Sequence, residues 1–251
     1  MVGRAEEIAG LRTIIASRRS AVLIGEAGIG KSTLLQAATT GRGAAFGGAL
    51  AMLRFIPYLP LARAVGPLDD ADPASVAVAV AARVGDGVLV VDDLHCADDA
   101  TLAILGRLTA SIPVLAAVRT GDEGTERGIA AARAAAMTEL RIPPLADGDA
   151  VALARRWRPE LGASESRRLV ARSGGNPLLV VELARAGVTT TLSRALEHRL
   201  RSLTDAERGC LELLAVSDVP LQTPVRAAWS RGWKRPAWSP ARDMASPFGT
   251  A

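Results

Sequence analysis

The sequence predicts an α/β fold, with a parallel sheet covered by helices on both faces and then a small unit made of helices alone. Three observations predict it. Short, wholly apolar runs at residues 21–24, 88–91 and 113–118 alternate with segments whose apolar residues recur at helical spacing. A run that is apolar at every position suits a strand buried on both faces, as in a parallel sheet between helical layers. After Pro143-Pro144 the strand-like runs stop, and only helical periodicity continues.

In order, Ile8, Leu11, Ile14 and Ile15 share one helical face and predict a helix over about residues 4–18. The run at 21–24 is a buried strand ended by glycines, and residues 31–39 form a helix with Leu34 and Leu35 inward. Residues 41–68 are Gly-rich, then apolar, and are punctuated by Pro57, Pro60 and Pro67. They predict a weak strand followed by a short helix. Pro73 suits a first helical position with Asp72 as cap, for a helix to about residue 83. The strand at 88–91 ends in Asp92-Asp93, and Asp98 or Asp99 caps the next helix, which runs through Leu102, Leu105 and Leu108. The strand at 113–118 ends at Arg119-Thr120. A polar loop, a helix over about 127–137 and a short strand near 140–142 complete the alternating part. Helices are predicted at 147–157, 164–173, 177–186, 192–202 and 205–215. From about residue 220 the periodicity collapses into a Trp- and Pro-rich segment that is expected to be disordered. Its composition is so unlike the rest that a truncated or frame-shifted end is one reading of it. The expected division is a core at 1–143, a helical lid at 144–203, the start of a winged-helix-like segment at 204–219 and a tail at 220–251.

The 251 residues suffice for one α/β domain and a small appendage. Aromatics make up only 3%, so the core must be built from Ala, Val, Leu and Ile. The net charge of +4 is misleading: from Pro224 onward Arg226, Arg231, Lys234, Arg235 and Arg242 face Asp243 alone, which accounts for the whole excess. Residues 1–223 are neutral, which argues against a broad nucleic-acid-binding face there. Cys96 and Cys210 lack zinc-type spacing and are expected to be separate thiols in a reducing compartment. The N-terminus lacks a signal-peptide core, and no run approaches the roughly 18 apolar residues of a membrane span. No membrane contact and a cytoplasmic location are expected.

Gly25-Glu26-Ala27-Gly28-Ile29-Gly30-Lys31-Ser32 matches G-x-x-x-x-G-K-[ST], with a buried strand before it and a helix after it. Glycines there let successive N–H groups converge on an anion, and the following helix adds the positive end of its dipole. Lys31 would reach the β- and γ-phosphates, Ser32 would ligate Mg2+, and Thr33 would support the α/β-phosphates. Lys31 is the only lysine before residue 234, so where Arg supplies nearly every other cation a compact ammonium has been kept. At the end of the 88–91 strand, Asp92 would hold the metal and Asp93 would orient or deprotonate water; either could instead cap the next helix. Arg119 is a candidate γ-phosphate sensor or, more plainly, an arginine opening a loop. His95 reads as a structural or supporting residue rather than a metal ligand.

With these residues placed, the chain resembles the signal-transduction ATPases with numerous domains (STAND), a branch of AAA-related P-loop NTPases. It is most similar to the N-terminal ATPase module of large LuxR-family transcriptional regulators. The segments that carry the resemblance are Val2-Gly3-Arg4 with Glu7, GEAGIGKSTLL, LVVDDLHCADDATL, AAVRT and SGGNPLLVVEL, which span about residues 1–215. The resemblance implies that Val2, Gly3 and Arg4 lie along the adenine side, and that Pro177 of Gly175-Asn176-Pro177 packs near adenine and links the helical unit to nucleotide. Asn176 and Pro177 also suit a plain helix start. Cys96 stands where relatives carry Trp, and the stretch before residue 88 is short, so the sheet could lack an element. The family continues into further helical and DNA-binding domains that this chain lacks, so any DNA contact would run through them.

The resemblance implies an ATP-binding regulatory switch with slow Mg2+-dependent hydrolysis to ADP, with nucleotide as the main partner and self-association left open. The preference for ATP rests on the resemblance. One alternative is an oligomeric AAA-type ATPase that remodels nucleic acid or protein; the neutral body counts against it. Another is a truncated, inactive regulator, which the odd tail favours.

Overall fold

The computed structural model describes residues 1–68 and 72–186. The chain divides into a compact unit, Met1–Arg199, and a second, Leu200–Ala251. The helices expected at 192–202 and 205–215 and the tail lie outside the described residues.

The first unit opens with α1 (Ala5–Ala16), β1 (Ala21–Gly25) and α2 (Lys31–Thr39), followed by β2 (Ala44–Gly48) and α3 (Leu59–Val65). Then come α4 (Pro73–Val84), β3 (Val88–Asp92), α5 (Asp99–Ser111), β4 (Val114–Arg119), α6 (Thr125–Ala134) and β5 (Thr138–Arg141). The unit continues through α7 (Asp147–Arg155), α8 (Ala163–Ser173) and α9 (Pro177–Ala186). The five strands form one parallel sheet in the order β2-β3-β4-β1-β5. β4 therefore lies between the strand that feeds the glycine segment and the strand that ends in the aspartates.

Both faces of the sheet are buried, as the unbroken apolar runs require. Val22, Ile24, Leu89, Val91, Ala116 and Val118 face a core completed by α4, α5 and α6 through Val76, Val80, Ile104, Leu105, Leu108 and Ile129. Ala21, Leu23, Val88, Val90, Leu115 and Ala117 face the opposite core, with Leu11 and Ile15 of α1 and Leu34, Leu35 and Ala38 of α2. Each fully buried Leu or Ile contributes about 1.5–3 kcal/mol, and such residues replace the missing aromatics. A third cluster, with Leu145, Ala150, Ala154, Leu169, Val180 and Leu183, holds α7, α8 and α9 together.

Side-chain caps fix the starts of α4 and α5. Asp72 Oδ1 accepts from the N–H groups of Ala74 (2.9 Å) and Ser75 (3.3 Å), with Pro73 in the first turn. Asp98, rather than Asp99, caps α5: its Oδ1 accepts from Thr101 N–H at 2.8 Å. The same oxygen accepts from Tyr58 N–H at 3.0 Å, tying the start of α3 to the start of α5. The Gly-rich stretch forms a full edge strand, so the sheet lacks no element there: β2 pairs with β3 from Ala44↔Val88 to Gly48↔Asp92. Gly47 is needed because α3 packs directly on β2, and a Cβ there would sit 1.8 Å from Pro60 O.

Three predicted boundaries need correction. The final strand begins at Thr138, because Ser20 O accepts from its N–H and starts the ladder with β1 earlier than the apolar pair indicated. α6 starts right after Gly124, whose φ of 85° sets the turn, and ends before Ala136, whose φ is 53°. α7 ends at Arg155, and Trp157 sits on the turn beyond it, its N–H bonded to Ala154 O at 3.0 Å.

Among the described residues no helix is long and apolar enough to cross a membrane.

Candidate functional site

The glycine segment links the C-terminal end of β1 to the first turn of α2, and Gly25 pairs with Arg119 at the end of the neighbouring β4. Ile29 is buried to 1% and packs into the α1/α2 core, so its side chain anchors the loop while the flanking glycines stay near the surface. Gly28 and Gly30 have φ of 75° and 100°, a backbone that costs a residue with a Cβ far more than glycine. Lys31 is 7% exposed, and its Nζ donates to Gly25 O (2.8 Å) and Glu26 O (2.9 Å). Burial lowers its pKa, helped by the Arg119 guanidinium, while Asp93, Asp92 and Asp122 pull the other way. A phosphate would exchange these two carbonyl acceptors for charged oxygens, a stronger partner for an ammonium.

Asp92 Oδ1 accepts from Asp93 N–H at 3.0 Å, and the turn is sharp enough to give Asp93 a φ of 52°. Asp93 borders a cavity of about 600 Å³ that also takes in Gly28, Gly30, Lys31, Ser32, Thr33 and Arg119. Asp92 does not border it. Its carboxylate is turned to the following N–H, although its charge is felt at Lys31. Ser32 and Asp92 carry the kind of hard oxygen donor that magnesium takes, and of the two only Ser32 borders the cavity. Among the described residues no group of three or more His, Cys, Asp or Glu is arranged to hold a metal by itself.

Arg119 is held by Asp122, with its NH1 3.2 Å from Oδ2. His95, 2% exposed, supports the same corner: its Nδ1 accepts from Arg119 N–H at 3.4 Å, and its Nε2 lies 3.4 Å from Asp122 Oδ2. A neutral ring protonated on Nε2 satisfies both contacts. Burial keeps the His95 pKa low against the pull of Asp93 and Asp122, with Arg119 and Lys31 reinforcing it. Cys96, the free thiol beside it, is half-buried, and burial raises its pKa.

The rest of the cavity wall is built from distant segments. Val2 and Arg4 line it, with Pro177, Leu145, Leu153, Trp157 and Leu178. Gly3 lies against α7 instead, where a Cβ would stand 2.5 Å from Asp149. Arg4 is buried to 2%; its NH1 reaches Glu7 Oε1 at 2.7 Å and its NH2 donates to Pro143 O at 2.6 Å, joining the N-terminus to the segment after β5. The start of α9 is bonded to the glycine segment itself. Asn176 Nδ2 donates to Ala27 O at 2.8 Å, Leu178 N–H to Gly28 O at 3.2 Å, and Asn176 Oδ1 accepts from Leu178 N–H at 3.1 Å. A Cβ on Gly28 would lie 2.6 Å from Leu178 Cβ, so loop and helix touch.

The structure thus brings Val2, Arg4, Gly28, Gly30, Lys31, Ser32, Thr33, Asp93, Arg119 and Pro177 to one cavity. Gly25, Glu26, Ala27 and Ile29 support it through the loop backbone. Sequence reasoning missed Asp122, Trp157 and the bond from Asn176 to Ala27. The last joins residues 149 positions apart, and no local pattern announces it.

The sheet order, the strand–loop–helix and the paired aspartates at a neighbouring strand end define an α/β P-loop NTPase fold. Solved structures with this fold include a Signal Transduction ATPase with Numerous Domains carrying a tetratricopeptide repeat sensor, from Pyrococcus horikoshii (TM-score 0.58, 20% identity, covering 92% of this chain and 37% of that one). They also include a Walker-type ATPase of Pyrococcus abyssi (TM-score 0.56, 16% identity, 86% of this chain and 76% of that one). A third is the Aeropyrum pernix Orc1 protein in complex with DNA (TM-score 0.55, 16% identity, 87% and 73%). The chain spans little more than a third of the first of these, and at such identities the likeness is one of fold. No family model matches the chain, and no curated protein matches it in sequence.

Proposed function

We propose that the chain is an ATP-binding regulatory switch with slow magnesium-dependent hydrolysis, the ATPase module of a signal-transduction regulator similar to those of the LuxR family. In this reading the loop amides and Lys31 hold the β- and γ-phosphates, and Thr33 supports the α/β-phosphates. Ser32 and Asp92 would hold magnesium, whose charge offsets that on the phosphate oxygens. Asp93 orients or deprotonates the attacking water, and Arg119 contacts the terminal phosphate. Val2, Arg4 and Pro177 border the nucleoside.

The observation that carries the reading is the seam between loop and lid, where Asn176 and Leu178 bond to the carbonyls of Ala27 and Gly28. A ligand that reshapes the loop must favour one state of this seam over the other, which is the condition for a switch. The test is melting temperature against ATP, ADP and GTP, with and without magnesium, for the wild-type chain and Lys31→Ala. ATP with magnesium should raise the wild-type value and leave the variant unmoved, because truncating one side of a charged pair costs about 2–5 kcal/mol. Equal shifts in both proteins would reject the site.

A further inference from the structure

Resting on the nucleotide-site reading, we infer that Trp157 is the surface on which the base of the bound nucleotide stacks, with Arg185 setting the ring's position. Trp157 lies on the turn just past α7 and is 52% exposed, although it is among the largest apolar side chains in the described residues. Trp157 borders the cavity that holds Lys31 and Ser32, so it shares one chamber with the phosphate loop. The Arg185 guanidinium sits 4.7 Å from the ring centroid, a cation–π contact that limits the ring's rotation.

The cavity's contents explain why a ring would be left there. Its lining combines Lys31, Ser32 and Thr33 with the apolar Leu153, Leu178 and Val181. At about 600 Å³ the cavity falls in the range of small-molecule sites and holds more than a bare triphosphate. A ligand matching both kinds of lining carries charge on one part and a flat apolar ring on another, as a nucleoside triphosphate does. Stacking is tolerant of base identity, because every base has a π-face. The residue would therefore distinguish nucleotides from inorganic polyphosphate more than ATP from GTP.

The experiment is calorimetric titration of the full chain and of Trp157→Ala, Trp157→Phe and Lys31→Ala with ATP, GTP and inorganic tripolyphosphate, each with magnesium. Trp157→Ala should weaken ATP and GTP by about tenfold or more, leave tripolyphosphate unchanged, and be largely rescued by Trp157→Phe. ATP affinity indifferent to Trp157→Ala, or an equal loss for ATP and tripolyphosphate, would overturn the assignment while leaving the phosphate site intact. If the wild-type chain binds none of the three ligands, the nucleotide reading itself fails and this inference with it.

Discussion

Two parts of the cavity wall are built on opposite plans. At the phosphate end one continuous segment supplies loop, lysine and hydroxyls, and its groups bond to one another: Lys31 Nζ to the carbonyls of Gly25 and Glu26. Elsewhere the wall is pieced together from the N-terminus, the turn after α7 and one face of α9, and an indole is left half exposed. The first end holds its shape through the sheet beneath it, where Ile29 is locked into a core. The second is tied to the first by the bonds from Asn176 and Leu178 to the loop carbonyls. Damage to the phosphate end should therefore fall on chemistry, and damage to the seam on the coupling between lid and loop.

The largest effect is expected from Asp93→Asn. The amide keeps the shape but loses the charge and basicity asked of Asp93, so turnover should fall by about 10²-fold or more, as for a lost general base. The ATP-dependent rise in melting temperature should survive. Single-turnover hydrolysis measured beside that rise separates the two; loss of both would make Asp93 part of the binding apparatus instead.

Next comes the seam. Asn176→Ala removes the donor to Ala27 O and the acceptor for Leu178 N–H, whereas Asn176→Asp removes only the donor. A hydrogen bond contributes about 0.5–1.5 kcal/mol net, so α9 amides should exchange with solvent roughly three- to tenfold faster in both variants. Hydrogen exchange read by mass spectrometry checks this. If Asn176→Asp exchanges like wild type, the helix cap holds the lid and the bond to the loop does not.

The same contrast sets what can be read from the sequence. The phosphate end is legible because its chemistry is local: Gly25 to Ser32 lie in succession between a strand and a helix, and Asp92 follows an apolar run. The strand segments could be read for a similar reason, since burial on both faces leaves no polar position along Val88–Val91. The opposite wall is not legible. Trp157 looks like one more apolar position continuing α7 until the helix is seen to stop at Arg155. Asp122, in a polar loop, gains meaning only because Arg119 and His95 converge on its Oδ2. Such convergence depends on the order of β3, β4 and β1 in the sheet, which one-dimensional spacing does not encode.

His95 gives the smallest and most specific test, because it belongs to the foundation of the phosphate end rather than to its surface. Its pKa in the folded chain lies below the ordinary 6.5, chiefly through burial, with Asp93 and Asp122 opposing and Arg119 and Lys31 reinforcing the shift. Above that ordinary value both folded and unfolded chains hold the ring neutral, and its titration leaves stability unchanged. As pH falls through it, the unfolded chain takes up a proton that the folded chain refuses, and stability is lost until the folded pKa is reached. One such group changes stability by at most about 1.4 kcal/mol per pH unit. Between about pH 7 and about pH 5, where histidine titrates, wild type should therefore lose more melting temperature than His95→Gln. Parallel curves for the two proteins would mean that folding leaves the ring's pKa unshifted; a wild type that loses less than His95→Gln would mean that the folded chain binds the proton and that Asp122 holds a cation on both sides.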